Sequence, residues 1–125
     1  MSVPRRRTGQ IAEDLVAARL AAAGWEIVER NARTRHGELD LIGLDGPALV
    51  FVEVKAARAG TVHGPTRPIE SVDFRKQRRV RRLATAWMSE RRLPARWEEI
   101  RFDAIGVVLD RADRAVEYEH VRNAF

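Results

Sequence analysis

Three carboxylates and one ammonium stand inside two runs that are otherwise apolar. The first run is His36-Gly37-Glu38-Leu39-Asp40-Leu41-Ile42. The second, a short turn later, is Val50-Phe51-Val52-Glu53-Val54-Lys55. Charges among Leu, Ile, Val and Phe are costly unless they are paired or hold a metal. Strand side chains alternate faces, so Glu38, Asp40 and Ile42 share one face of their strand, and Phe51, Glu53 and Lys55 share one face of the next. With Asp45 to Ala48 as a four-residue turn, Leu44 opposes Leu49, Ile42 opposes Phe51, Asp40 opposes Glu53 and Glu38 opposes Lys55. Opposed Cβ atoms lie about 4.5–5.5 Å apart. This register predicts one polar patch on one face, and the two apolar pairs argue for it.

Facing carboxylates repel, so something positive must compensate. Lys55 is one candidate. A hard divalent cation such as Mg²⁺ is another, because it prefers carboxylate oxygens, water and substrate phosphate. The bland alternative is a salt-bridge cluster on a solvated sheet face. Ile42 and Phe51 on the same face argue for a covered one.

Composition narrows the partners. The net charge of +5 and the calculated pI of about 10.8 favour a polyanion, nucleic acid first. Of 23 basic residues only Lys55 and Lys76 are lysines; the rest are Arg. A compact ammonium retained in mid-strand, in a chain that otherwise uses Arg, leans toward a chemical requirement at position 55. The absence of Cys excludes disulfides and thiolate metal sites. No apolar run approaches the roughly 20 residues that span a bilayer, and no apolar segment follows the N-terminal Arg run. The expectation is a cytoplasmic protein without a membrane partner.

The elements that must position these residues follow from periodicity. Residues 1–7 read as a flexible basic arm and 8–125 as one domain. A helix is expected from Thr8 as N-cap, with Ala12, Leu15, Val16, Leu20 and Ala23 as its buried stripe and Gly24 as its stop. Glu13 falls in its first turns, where a carboxylate also suits the helix dipole. Trp25 to Arg30 alternates as a strand, and Asn31 to Arg35 reads as a polar turn before the hairpin. Residues 60–68 are a Gly/Pro loop carrying His63, a lone loop His of little weight. A second helix over 72–92 buries Val80, Leu83, Ala84 and Trp87. Gln77 lies at the edge of that stripe, and Arg75, Lys76, Arg78, Arg79, Arg81 and Arg82 cover the other faces. Ile100 to Leu109 and Ala115 to Val121 complete the order α-β-β-β-α-β-β, an α/β layered domain with a mixed sheet.

Asp40 followed by Glu53-Val54-Lys55 after a hairpin resembles the D…(D/E)xK signature of the PD-(D/E)XK nuclease superfamily. GELDLIG, FVEVKAAR and the basic helix after a Gly/Pro loop are similar to the small bacterial YraN-like proteins, from Gly9-Gln10-Ile11-Ala12-Glu13 to Arg101-Phe102-Asp103. Ala57 departs from that pattern, where Thr often follows the Lys-bearing strand. The resemblance implies a restriction-endonuclease-like mixed sheet flanked by helices and a Mg²⁺- or Mn²⁺-dependent endonuclease hydrolysing DNA phosphodiesters, branched or structured DNA included. It implies Asp40 and Glu53 as metal ligands with Glu13 as an additional one, Lys55 polarising the phosphate or attacking water, and Gln77 completing the catalytic set. Glu38 has no counterpart in the nuclease signature and is read as a Lys55 partner. Arg75, Lys76, Arg78, Arg79, Arg82 and the arm residues Arg5, Arg6 and Arg7 would hold the phosphate backbone. Symmetric cutting of two strands would need two sites, which points to a homodimer. The alternatives are a non-catalytic nucleic-acid-binding protein of the same fold and a scaffold protein using Trp87, Trp97 and Phe125 as an interface.

Overall fold

The computed structural model describes residues 5–60, 68–91 and 97–125. Helix α1 (Arg5–Ala22) leads into three antiparallel strands, β1 (Glu26–Thr34), β2 (Gly37–Asp45) and β3 (Ala48–Arg58). A short 3₁₀ turn (Pro68–Ser71) and helix α2 (Phe74–Glu90) carry the chain to β4 (Glu99–Leu109) and then β5 (Ala115–Val121). The sheet is open, in the order β1-β2-β3-β4-β5. β3 and β4 pair in parallel over their whole length, Ala48 with Glu99 through Arg58 with Leu109, and β5 returns antiparallel on β4. Parallel pairing requires a crossover, and the segment containing α2 supplies it.

The two helices cover opposite faces. Ala12, Val16, Ala17 and Leu20 of α1 pack on Leu41, Val50, Val52, Val54, Ile105 and Val107. Val80, Leu83, Ala84 and Trp87 of α2 pack on Ala32, Leu39, Ile42, Leu44, Leu49 and Phe51. Trp87, Trp97 and Phe125 belong to the α2-side core or pack against it, so they do not form the outward interface a scaffold would need.

Three expectations change. Helix α1 starts at Arg5, so Arg6 and Arg7 are helical and not part of an arm; Thr8 is buried within the helix and its hydroxyl accepts from Arg58 Nε at 3.1 Å. Ala17 replaces Ala23 in the buried stripe, and Leu15 is only half-buried. β1 extends through the expected turn to Thr34: a bulge at Val28 and a left-handed Asn31 (φ 49°) let the polar stretch 31–34 keep pairing with β2. Residues 1–4 of the expected arm, 61–67 of the expected loop with His63, and Arg92 lie outside the described residues, within which α2 ends at Glu90 with Arg91 as its C-cap.

Candidate functional site

The hairpin register is as the apolar pairs required. Leu44 opposes Leu49, Ile42 opposes Phe51, and the pairing ends at Leu41 opposite Val52. The turn itself is shorter than four residues: Asp45 pairs with Ala48, and Gly46 (φ 58°) with Pro47 makes the connection. Beyond Leu41 the strands part. Asp40 Oδ2 accepts the backbone N–H of Val54 at 2.9 Å, supplying that amide with a side-chain acceptor where the ladder stops. The polar residues therefore do not share one face. Leu39 and Leu41 lie in opposite core layers, so alternation breaks at Asp40, opposite the left-handed Asn31 of β1.

On β3, Val52, Val54 and Ala56 face α1. By alternation Glu53 and Lys55 face the α2 side. Lys55 Nζ lies 3.4 Å from Glu53 Oε1, both largely covered. Lys76, in the first turn of α2, comes close to Lys55; burial and then the Lys55 charge hold the Lys76 ammonium below the usual lysine range. Both lysines of the chain thus converge on one point. The 3₁₀ turn runs over the neighbouring strand, where a Cβ on Gly106, the residue beside Lys55, would come within 3.2 Å of Ile69 N.

On the α1 side, the Asn31 amide faces two carboxylates, which can only accept, so its nitrogen is assigned toward them, donating to Glu13 Oε1 at 2.7 Å and to Glu38 Oε1 at 3.1 Å. Glu38 also pairs with Arg33 at 3.8 Å. Its expected partnership with Lys55 is therefore corrected: Glu38 follows the β1–β2 pairing, and Glu53 takes its place beside Lys55. Burial pushes the Glu13 carboxyl up, and Glu38 adds to that, with Arg30 opposing. Arg6, Gly9, Gln10, Glu13, Asn31, Arg33 and Glu38 line an open cleft of about 440 Å³.

Asp40 lies between the two groups. Burial first, then the Glu53 and Glu13 charges, raise its pKa to about 7, against lowering by the Val54 amide and Lys55. Glu13, Glu38, Asp40 and Glu53 thus bring four carboxylates together, answered by Arg30 at Glu13, Arg33 at Glu38 and Lys55 at Glu53. Hard oxygen donors are what a Mg²⁺-class ion prefers, and Asp40 and Glu53 are donors of that kind. Among the described residues no three carboxylate or imidazole groups form a ready-made cage, so water and phosphate oxygens would have to complete the coordination.

Two expected members stand elsewhere. Gln77 Nε2 donates to Val72 O at 3.1 Å, bracing the entry into α2, whose N-cap is Asp73. Arg7 is paired with Asp113 at 2.8 Å. Arg75, Arg78, Arg79 and Arg82 are exposed as expected, Arg6 lines the cleft, and Arg5's side chain lies outside the described residues.

A second charged cluster was not foreseen. Asp103 on β4 is fully buried. It accepts from Arg101 Nε at 2.9 Å, Arg101 Nη2 at 3.0 Å and Asn123 N at 3.1 Å, and lies 2.7 Å from His120 Nε2. Burial works upward on the Asp103 carboxyl, but these bonds outweigh it and hold it below the usual range. Its signal in the sequence was Asp103 itself, a charge inside the apolar run of β4.

The family model described as "Uncharacterised protein family UPF0102" matches residues 12–107, which include all of β1 to β3 and α2. A UPF0102 protein of Rhodococcus opacus (strain B4) is 45% identical over 117 residues, 94% of each chain. One from Moorella thermoacetica is 42% identical over 125 residues, the full length of both, and one from Dictyoglomus turgidum is 35% identical over 120 residues, 96% of this chain and 98% of that one. Matches of this extent leave the family in no doubt: the chain belongs to UPF0102.

Proposed function

We propose that this protein is a metal-dependent nuclease of the PD-(D/E)XK type, with a restriction-endonuclease-like fold, that hydrolyses DNA phosphodiesters. The observation that carries the reading is Asp40: a half-buried carboxylate fixed by the Val54 amide where β2 and β3 part, crowded by further carboxylates and followed on β3 by Glu53 and Lys55. A purely structural site gains nothing from carboxylates crowded on one another, and a phosphate-binding module is harmed by them unless a cation intervenes.

Asp40 and Glu53 would hold Mg²⁺ or Mn²⁺, with Glu13 as a further ligand. When bound, the ion supplies a water of lowered pKa and neutralises charge building on the phosphate. Asp40 must give up its proton to serve, so its pKa near 7 keeps it close to readiness at neutral pH. The Glu53 contact orients Lys55, whose ammonium donates to a phosphate oxygen and stabilises the developing negative charge. Water adds to phosphorus, the ester oxygen leaves, and that oxygen takes the proton. The exposed Arg75, Arg78, Arg79 and Arg82 hold the backbone without reading sequence.

A non-catalytic nucleic-acid-binding protein is the second reading, favoured by the lack of a ready-made ligand cage among the described residues. Incubation of duplex, flap and four-way-junction DNA with wild type, Asp40→Ala and Lys55→Ala in Mg²⁺ or Mn²⁺ separates the two. Cutting by wild type alone supports the nuclease. Binding by all three with no cutting assigns the second reading.

A further inference from the structure

We infer that Phe74 is a stacking platform for an unpaired nucleobase, so that the site takes nucleic acid with a single-stranded or splayed segment in preference to continuous duplex. The inference rests on the nucleic-acid reading above and adds the feature that site would recognise. Among the described residues the exposed large hydrophobic side chains are Phe74, Ile100 and Val116, and Phe74 is both the most exposed, at 70%, and the one aromatic. It opens α2 at the same end of the helix as Lys76, the residue that approaches Lys55.

Its surroundings are cationic. Phe74, Arg78 and Arg82 recur at i, i+4 and i+8 and form one exposed stripe along the helix. The Arg78 guanidinium lies over the Phe74 ring, 5.6 Å from its centroid. A protein partner would meet an apolar ring isolated among guanidinium groups. A nucleic-acid strand satisfies both parts, with a base face on the ring and successive phosphates on Arg78 and Arg82. Stacking of this kind accepts any base, because every base has a π-face. It requires that base to be free of its own stack, which a flap, a gap or a junction arm supplies and an intact duplex does not.

The test is binding without divalent metal, in EDTA, so that cleavage plays no part. Probes are a fluorescein-labelled oligo-dT, the same strand with abasic positions, and a duplex of equal length. Wild type, Phe74→Ala, Phe74→Leu and Phe74→Trp are compared, with melting temperatures checking that each folds. Loss of one stacked base predicts that Phe74→Ala weakens oligo-dT binding about 5- to 150-fold. Phe74→Leu does not restore it, Phe74→Trp does, and the duplex and abasic strand change less than twofold. Equal weakening on all probes, or none on oligo-dT, overturns the stacking role while the nuclease reading stands. Wild type that binds no probe overturns the stacking role, and the cleavage assay with Mg²⁺ or Mn²⁺ then decides the nuclease reading by itself.

Discussion

Asp40 Oδ2 and the backbone N–H of Val54 are joined by a 2.9 Å hydrogen bond just past the last paired residues of the β2–β3 hairpin, Leu41 and Val52. The bond fixes a carboxylate in the gap between two strands. The charges of Glu53 and Glu13 both raise the pKa of that carboxyl, after its burial. The same contact therefore terminates a ladder and loads the site with electrostatic strain.

That strain sets a pH dependence. In the folded protein the Asp40 carboxyl titrates near 7, against 3.8 ordinarily, so the native state binds the proton more tightly than the unfolded chain. The resulting stabilisation is full below about pH 4 and is lost as pH rises through 7, with a ceiling of about 4 kcal/mol. Asp40→Asn keeps an acceptor for the Val54 amide and cannot ionise. In EDTA its melting temperature should exceed that of wild type by several degrees at pH 8, and the gap should shrink at pH 5. An equal gap at both values would contradict the strain.

Divalent metal should act in the opposite direction. Millimolar Mg²⁺ or Mn²⁺ is expected to raise the melting temperature of wild type more at pH 8 than at pH 6, because the proton and the ion compete for Asp40. Asp40→Asn should lose most of the shift. Calorimetric titration at the two pH values measures the same competition as proton release.

Asn31 joins a left-handed backbone (φ 49°) to an amide shared by Glu13 and Glu38. Asn31→Gly removes the amide and keeps the backbone relaxed, whereas Asn31→Ala removes the amide and strains the backbone. The second should be less stable than the first by about 1 kcal/mol in urea unfolding. Glycine faring no better than alanine would remove the backbone argument.

The Asp103 cluster is assigned to stability. Asp103→Ala removes two bonds to Arg101 and the acceptor for Asn123 N, while Asp45 stays with Arg101 at 2.9 Å, and should cost about 3 kcal/mol by urea unfolding. Because Asp103 holds its proton less tightly when folded, this contribution is present above about pH 4 and disappears as pH falls below it. Any cleavage activity per folded molecule should be preserved.

The element order, both helices, the mixed sheet and the apolar half of the hairpin register were legible in the chain. Apolar spacing in α1 and α2 and the Leu44/Leu49 and Ile42/Phe51 pairs encode them locally. Local pattern also marked Asp40, Glu53 and Lys55, because a charge inside an apolar run is conspicuous wherever the run goes. It could not say where those charges point. Strict alternation holds only while a ladder continues, and the ladder ends when Asp40 captures the Val54 amide opposite a kinked Asn31. That event involves the backbone of β1 beside it, a contact that the alternation within β2 and β3 does not encode. The tertiary structure alone decided that Glu38 belongs with Glu13 and Asn31, that Glu53 is the companion of Lys55, and that the two lysines meet. It also decided that Gln77 is spent on Val72, for hydrogen-bond partners across a fold leave no trace in residue spacing.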